Sequence, residues 1–486
     1  MDTSRGPPAP PTRPASEPPA QGAPWYRSRR MAARSLALTF LGATGTITGA
    51  RYLLDTGHAR VLVDCGLYQG FKQLRLRNRG LFPALPLDAI VLTHAHPDHS
   101  GFLPQLCRAG FRGPVYCTPG TADLCRLLLP DSAALQLEDA AFANKKRYTK
   151  QHPATPLYDV EDAAQALRQL VPVEFGERFA LPGELHAGFT RAGHTLGAAS
   201  LRVDDGVRRV LFSGDLGREQ DIMMAPPDPR PHADVVVLES TYGGRAHDGE
   251  DPGEVLADLI RRTAARGGRV LIPAFAFGRA QAVLVLLHQL RRARKIPELP
   301  VFVDSPLACD PSELYAAHPH DHRLSRETCE AAFAGVTYLR DPEDSRRCSE
   351  RHEPAIVLAA AGLATGGRVL HHLKHTGPDP NSAIVLAGVQ AAGTRGATLA
   401  SGADSLKIHG RNISINAEVA HFDMLTAHAD QHELLGWLEH DDAPRHTFLV
   451  HGEPEAADAL RRAIEEQLRW PVSVPDYRDH VDIHAL

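Results

Sequence analysis

Three histidines and one aspartate fall within six residues of one loop: Thr93-His94-Ala95-His96-Pro97-Asp98-His99-Ser100. The apolar run Ala89–Thr93 predicts a buried strand directly before them, and a helical pattern follows. His94 and His96 are two apart on extended backbone, so their side chains can point the same way. The proline after them bends the chain, which lets Asp98 and His99 face a second position. Imidazole and carboxylate suit Zn²⁺, Fe²⁺ or Mn²⁺, so the segment predicts a metal site at a strand end of an α/β protein.

Four more polar residues stand at or beside the ends of predicted strands or in glycine-flanked loops: Asp64, His194, Asp215 and His451. A single residue of this kind is most often an ordinary core or surface residue. In layered α/β folds, however, sites are built at the carboxyl ends of strands. Together with the first cluster, these positions therefore predict further ligands of the same metal site.

Composition bounds the class of protein. The 486 residues are 43% hydrophobic and 23% charged, as in ordinary globular proteins with two or three domains. No apolar stretch is long enough for a membrane span. The seven scattered cysteines contain no CxxC pair, which fits a reducing cytoplasm and argues against a cysteine zinc site. With a net charge of −5, any nucleic-acid binding must use local positive charge or bound metal. Residues 1–33, rich in Pro, Ala and Arg, are expected to be disordered.

The motifs together resemble the metallo-β-lactamase fold, an αββα sandwich with a two-metal site at one edge. The resemblance implies one metal on His94, His96 and His194, and a second on Asp98, His99 and His451. Asp215 would bridge the two metals. Asp64 would hold a ligand histidine by accepting its other ring N–H. Two Zn²⁺ per chain are expected from this resemblance, and Mn²⁺ or Fe²⁺ would suit the same ligands.

A long insertion separates Asp215 from His451. Its phrases resemble those of the β-CASP nucleases: Leu238-Glu239-Ser240-Thr241-Tyr242-Gly243, Ile272-Pro273-Ala274-Phe275-Ala276-Phe277-Gly278-Arg279-Ala280-Gln281, Val303-Asp304-Ser305-Pro306-Leu307-Ala308, Gly388-Val389-Gln390-Ala391-Ala392-Gly393-Thr394 and, after the insertion, Thr426-Ala427-His428-Ala429-Asp430. The sequence looks similar to bacterial homologues of the nuclease subunit of the eukaryotic pre-mRNA 3′-end cleavage machinery. We expect a metallo-β-lactamase domain at 34–242 and 408–486, with an α/β β-CASP domain inserted at 243–407.

In that family Glu239, His428 and His451 occupy the three additional motifs, and a histidine at the third marks the RNA-cleaving branch. Two metal ions can activate water and hold a phosphate, which leaves the departing oxygen in need of a proton. His428 is the expected donor, because imidazole titrates near neutrality. Glu239 would orient it, since a carboxylate favours the protonated form of a neighbouring imidazole. Asp98 and Asp64 complete the expected catalytic set.

Substrate-binding residues are expected at two helix starts. Thr365-Gly366-Gly367-Arg368 precedes a helical stretch, so its N–H groups could form a phosphate-binding nest. Arg279 begins another predicted helix and could face the same phosphate. An ordinary glycine turn and a solvated helix arginine are the alternatives for these two segments.

The expected activity is hydrolysis of single-stranded RNA. One alternative is a hydrolase of the same fold acting on small esters, thioesters or phosphodiesters, and another is an RNA-binding protein without catalysis. Turnover of small esters would favour the first alternative, and absence of bound metal would favour the second. Endonucleolytic or exonucleolytic action and formation of a homo-oligomer stay open at this point.

Overall fold

A computed structural model describes residues 35–79, 86–147, 153–247, 249, 251–274, 278–305 and 311–486. The segment 1–33, predicted to be disordered, lies outside the described residues. Within the described residues, the helices are too short or too polar to span a bilayer.

The structure alternates strands and helices along the chain. The strands are β1 Ala37–Phe40, β2 Tyr52–Asp55, β3 Arg60–Val63, β4 Ala89–Val91, β5 Val115–Cys117, β6 Leu170–Pro172, β7 Arg178–Leu181, β8 Leu185–Arg191, β9 Ala199–Asp204, β10 Arg209–Phe212, β11 Val235–Glu239, β12 Val270–Pro273, β13 Val301–Asp304, β14 Thr337–Leu339, β15 Ile356–Ala359, β16 Ala383–Ala387, β17 Ser405–Ile408, β18 Arg411–Ser414, β19 Glu418–Phe422, β20 His446–Val450, β21 Val472–Ser473 and β22 His480–Asp482. The α-helices are α1 Lys72–Arg77, α2 Pro97–Ser100, α3 Leu103–Arg108, α4 Pro119–Lys146, α5 Val160–Leu167, α6 Pro252–Ala265, α7 Arg279–Arg292, α8 Ser312–Ala317, α9 Arg326–Ala334, α10 Pro342–Ser349, α11 Val369–Thr376, α12 Arg395–Ala400, α13 Gln431–Glu439 and α14 Pro454–Ala463.

Two seven-stranded mixed sheets pack face to face. Their strand orders are β22-β1-β2-β3-β4-β5-β6 and β21-β20-β11-β10-β9-β8-β7. Apolar side chains from both sheets fill the space between them, and the rings of Phe40 and Phe448 meet at 5.1 Å. Helices α3, α4 and α5 cover the outer face of the first sheet, and α13 and α14 cover that of the second. The predicted αββα sandwich is therefore confirmed.

A third sheet belongs to the insertion. Its six strands, in the order β14-β13-β15-β12-β16-β19, are all parallel. The central strands are buried along their whole length, as expected when helices cover both faces. The last strand, Glu418–Phe422, pairs with Ala383–Ala387 after the hairpin β17–β18. The sheet of the insertion thus continues past residue 407, where the sequence analysis had placed its end.

Five strands direct their carboxyl ends to one edge of the sandwich. Strands β10, β11 and β20 run parallel in one sheet, and β3 and β4 run parallel in the other. The residues that follow them include Asp64 and His451, whose φ angles are 58° and 50°. Non-glycine residues rarely adopt this left-handed conformation, so the surrounding packing must hold both of them in place.

Candidate metal centre

His94, His96 and His194 converge at this edge. His94 Nε2 and His194 Nε2 each lie 3.2 Å from His96 Nδ1. The three ring planes cross at steep angles instead of stacking, between 74° and 88°. His94 and His194 are fully or almost fully buried. Two loops that are distant in the sequence therefore aim three ring nitrogens at one small volume.

A second group lies beside the first and consists of Asp98, His99 and His451. The two Nε2 atoms of the histidines are 3.1 Å apart, and His451 Nε2 is 3.5 Å from Asp98 Oδ2. Strand β20 delivers His451, whose backbone N–H donates to the Ala43 carbonyl at 2.7 Å. The start of the helix α2 carries Asp98 and His99. The expected second ligand set is thus also brought together.

Asp215 stands between the two groups. Its Oδ2 lies 3.5 Å from His94 Nε2 and 3.7 Å from His194 Nε2. Its Oδ1 lies 3.3 Å from His99 Nε2 and 3.4 Å from His451 Nδ1. This carboxylate is 2% exposed, so its two oxygens face opposite groups of imidazoles within the protein. That arrangement is the one expected of a bridging ligand.

Asp64 contacts the second group from behind. Its Oδ2 accepts a hydrogen bond from His99 Nδ1 at 2.8 Å, and its Oδ1 accepts from the Thr93 N–H at 2.8 Å. Because a carboxylate only accepts, the His99 Nδ1 carries the proton and leaves Nε2 facing Asp215. Asp64 therefore sets both the tautomer and the orientation of His99.

Burial and charge separate the protonation behaviour of the histidines. Burial lowers the pKa of His94 and His194 well below the ordinary value, and lowers that of His96 to about 4. Burial opposes the charge of His99 as well, but the carboxylates of Asp215 and Asp64 raise its pKa well above the ordinary value. Three of the imidazoles are thus held neutral, the form that binds metal.

The donor atoms fit divalent cations. His94, His96, His194 and Asp215 place one potential ligand atom each within 4.8 Å of one another, as do Asp98, His99 and His451. Asp215 Oδ1 is buried without a hydrogen bond of good geometry, and several ring nitrogens face each other where at most one of each pair can donate. A nitrogen and oxygen set without thiolate suits Zn²⁺, Mn²⁺ or Fe²⁺.

Glu239 and His428 form a pair next to this centre. His428 Nδ1 lies 3.1 Å from Glu239 Oε2 and 3.2 Å from Oε1. Glu239 is 1% exposed and accepts a second bond from the Leu216 N–H at 2.6 Å. The His428 ring lies 4.4 Å from that of His194 and stays partly exposed to the cleft. With Nδ1 committed to Glu239, Nε2 is the ring nitrogen left for a substrate.

The centre opens into a cleft between the sandwich and the insertion. Arg279 lines it from the first turn of α7 and donates to the Leu425 carbonyl. Burial lowers the pKa of this guanidinium, which nevertheless keeps its charge in any ordinary solution. Arg279 therefore contributes a positive charge to the wall of the cleft.

The segment 365–368, expected to bind a substrate phosphate, lies beside the cleft, and two of its groups contact carboxylates of the protein. The Arg368 guanidinium is 4% exposed and donates to Asp304 Oδ1 at 3.1 Å, inside the insertion. The Gly367 N–H donates to the carboxylate of Asp139, so a protein carboxylate already faces the proposed nest. Thr365 and Gly366 line a cavity beside the cleft. A glycine-rich helix start indicates an anion site but does not reveal that another side chain fills it.

Two residues at the centre were not predicted. Thr241 Oγ1 lies 3.1 Å from His451 Nδ1, and His247 Nε2 donates to the His428 carbonyl at 2.9 Å. Both lie in the segment after β11, which passes beneath the loop of His428. Thr241 lies two residues after Glu239 in a motif that the sequence analysis identified, so that motif could have indicated a role for Thr241 as well. Nothing in the local sequence distinguishes His247.

Comparison with known proteins gives three family matches along the chain. Residues 49–272 match the metallo-beta-lactamase superfamily, residues 280–399 match the Beta-Casp domain, and residues 412–475 match the Zn-dependent metallo-hydrolase RNA specificity domain.

Two curated relatives span most of the chain. Ribonuclease TTHA0252 of Thermus thermophilus is 38% identical over 435 residues, covering 87% of this chain and 94% of that protein. Transcription termination factor FttA of Methanosarcina mazei is 30% identical over 456 residues, covering 89% of this chain and 69% of that protein. Among solved structures, a protein of unknown function from Enterococcus faecalis V583 covers 92% of this chain at 13% identity, with a TM-score of 0.48.

Proposed function

Because this chain belongs to the β-CASP family of metallo-β-lactamase-fold hydrolases, we propose that it is a metal-dependent ribonuclease that hydrolyses phosphodiester bonds of single-stranded RNA. The relative with 38% identity is named a ribonuclease and is covered over 94% of its length. The match to an RNA specificity domain at 412–475 includes His428 and His451. RNA is therefore the substrate class that the similarities favour.

One geometric observation carries the proposal. Asp215 faces His94 and His194 with one oxygen and His99 and His451 with the other, at 3.3 to 3.7 Å. We propose that seven side chains hold two divalent cations, with zinc as the first candidate: His94, His96, Asp98, His99, His194, Asp215 and His451. When bound, such cations activate water near neutral pH and neutralise the charge of a phosphate group.

The remaining steps fall to the protein. The Arg279 guanidinium would orient a phosphate of the strand in the cleft, opposite the histidines of the centre. His428, held through Nδ1 by Glu239, would donate a proton from Nε2 to the leaving oxygen. Burial of Glu239 shields its hydrogen bond to His428 from bulk water, which holds the imidazole in one orientation. Asp64 would orient His99 in the same way, by accepting a hydrogen bond from its Nδ1.

Cleavage of labelled single-stranded RNA by the full chain, loaded with Zn²⁺ or Mn²⁺, tests the proposal. The variant Asp98→Ala/His99→Ala removes two proposed ligands and should abolish the products. The matched control, His352→Ala/Glu353→Ala, removes the same two kinds of side chain from an exposed site on the insertion and should cleave like wild type. Metal content of all three proteins is measured in parallel.

The outcomes separate the alternatives. Identical products from wild type and the Asp98→Ala/His99→Ala variant would refute the assignment of the centre. Turnover of small esters or thioesters well above RNA cleavage would favour the small-molecule hydrolase. RNAs with 5′-hydroxyl, 5′-phosphate and blocked 3′ ends then distinguish endonucleolytic from exonucleolytic action, because each class yields its own set of products.

A further inference from the structure

A group of basic side chains surrounds one aromatic ring where the helix α4 of the sandwich meets the insertion, away from the metal centre. The ring of Phe142, near the end of α4, lies 4.5 Å from the ring of His409 and 5.7 Å from that of His371. The Lys374 ammonium lies 5.6 Å from the centre of the same ring. Three separate segments of chain therefore meet here: the end of α4, the helix α11 and the turn between β17 and β18.

We use the name α11 surface for Lys146, His371, Lys374, His409 and Arg411. Burial, together with neighbouring Arg411 and Lys146, lowers the pKa of Lys374. Burial and the neighbouring cations also lower the pKa of His371 and of His409 to about 4. Among the described residues, no carboxylate forms an ion pair with Lys146, Lys374 or Arg411. Lys146, Lys374 and Arg411 therefore concentrate positive charge on a chain whose net charge is −5, while the imidazoles of His371 and His409 are neutral near pH 7.

The α11 surface lies near a cavity that adjoins the cleft. Gln69 lines both the cleft of the metal centre and a neighbouring cavity, which Asp139 and Gly367 line on the far side. Phe142 lies one helical turn beyond Asp139 on α4, and His371 lies about one turn beyond Gly367. The Phe142 ring and His371 thus lie about one helical turn beyond the far wall of that cavity.

We propose that the α11 surface is an RNA-binding site outside the cleft, which holds the sugar-phosphate backbone of a long substrate. The inference rests on the proposed ribonuclease function. Phosphate is the matching ligand because Lys146, Lys374 and Arg411 are cationic and lie on three separate segments, which are the end of α4, the helix α11 and the β17–β18 hairpin. His371, His409 and Lys374 surround the Phe142 ring, so we expect the RNA to bind through its sugar-phosphate backbone and not by stacking a base on this ring. The site holds RNA of any sequence and raises affinity for long strands only.

The test compares the full chain with Lys374→Glu/Arg411→Glu, using RNAs of about six and about thirty nucleotides, since single-strand sites span ~4–16 nucleotides. For the long RNA, KM should rise about fivefold with kcat unchanged, and the short RNA should keep both constants. In a His428→Ala background, binding of the long RNA should show a shallower salt dependence. The slope of log Kd against log salt should fall by about 1.4, at ~0.7 for each lost phosphate contact.

Two further variants keep the result interpretable. Arg326→Glu reverses a charge at an exposed position of α9 and should leave the salt slope unchanged. Lys374→Gln/Arg411→Gln removes the charges without adding acidic ones, and should show a smaller effect of the same kind. A single-stranded DNA of equal length should compete for the site, because phosphate contacts do not read the sugar.

Several results would overturn the inference. Equal effects on short and long RNA would place the change in the cleft and not at a separate site. An unchanged KM of Lys374→Glu/Arg411→Glu for the long RNA would mean that the α11 surface does not bind RNA. If wild type cleaves no RNA of either length, the proposed function fails, whereas a lower salt slope in the binding assay would still support the site.

Discussion

His428 Nδ1 and the carboxylate of Glu239 lie 3.1 Å apart although 189 positions separate them in the sequence. Two adjacent elements bring them together: the end of β11 carries Glu239, and the loop before α13 carries His428. The Leu216 N–H fixes the carboxylate from the other side at 2.6 Å. The pair is therefore prepared in the folded protein before any substrate enters.

Removal of the imidazole should affect the reaction and not the metal. His428→Ala should lower kcat for RNA by about 10²- to 10³-fold, the range typical of a lost general acid. Glu239→Gln keeps the shape but loses the charge, so about a tenfold loss is expected. Stopped-time cleavage assays with metal analysis check both. His432→Ala, an exposed histidine four residues away, serves as the control, and loss of metal in His428→Ala would reassign His428 as a ligand.

Metal removal should lower both activity and stability. The ligand cluster gathers five histidines and two aspartates within a buried volume, so metal binding to the native state alone stabilises it. We expect chelation to abolish cleavage and to lower the melting temperature, with recovery of both on adding Zn²⁺ or Mn²⁺. At a metal concentration 1,000 times the Kd the stabilisation is about 4 kcal/mol. Calorimetry should show that chelation lowers the melting temperature of the Asp98→Ala/His99→Ala variant less than that of wild type. An equal decrease would contradict the assignment of Asp98 and His99 as metal ligands.

The buried carboxylate of Asp304 should be essential to the stability of the insertion. It accepts from Arg368 Nη1 at 3.1 Å and from His372 Nε2 at 2.7 Å, and none of the three is more than 4% exposed. Asp304→Asn leaves the buried guanidinium with only the more exposed carboxylate of Glu138, 3.6 Å away, so we expect a loss of about 3–5 kcal/mol in unfolding free energy. Urea titration measures the loss. Asp258→Asn, at an exposed ion pair on α6, should change little.

The same carboxylate predicts a pH dependence. Burial opposes its charge, but the hydrogen bonds and charges of His372, Ser345 and Arg368 lower the pKa of Asp304 below the ordinary value. A carboxyl group of this kind stabilises the fold above its unfolded pKa of about 3.9, and the stabilisation disappears as the pH falls through the lower folded value. The gap in unfolding free energy between wild type and Asp304→Asn should therefore be constant from about pH 5 upward and narrow below about pH 4. A gap that stays constant down to pH 3 would exclude this role.

Gly66 should tolerate no side chain. A Cβ at this position would lie 1.5 Å from the Asp98 carbonyl oxygen, in the contact between the end of β3 and the metal-binding loop. Gly66→Ala must displace Asp98, so we expect a loss of at least about 2 kcal/mol and weaker metal binding. Gly436→Ala, on the open face of α13, should instead stabilise by up to ~1 kcal/mol. Unfolding and metal titration check both, and normal metal affinity in Gly66→Ala would contradict the expectation.

The local sequence predicted the position of functional side chains where the backbone conformation of one short segment determines it. The cluster at 94–99 could be interpreted directly, because alternation along an extended strand and the proline bend determine which way four side chains point. The more distant ligands at 194, 215 and 451 were predictable as strand-end residues, but only their resemblance to a family joined them. The alternation of strands and helices likewise predicted the class of fold, since apolar periodicity is a local property.

Other features of the structure depend on contacts between segments that are far apart in the sequence. The sheet of the insertion continues to Phe422 because Glu418–Phe422 finds its partner strand across the β17–β18 hairpin, which no local pattern reveals. The Arg368 guanidinium donates a hydrogen bond to Asp304, 64 positions away. The Gly367 N–H donates to Asp139, which lies on a helix of the sandwich. His247 supports the His428 carbonyl only because two loops cross.

By itself, the sequence determined which side chains can bind metal, which segments are strands and helices, and which family the motifs resemble. The tertiary structure decided which of these side chains share a site and which are used to hold the protein together. The physical reason is range: backbone preferences and apolar periodicity act over a few residues, whereas a ligand atom must be placed within a few ångströms by strands far apart in the chain. Asp215 shows the difference, since only the packed sandwich turns its two oxygens toward two separate groups of histidines.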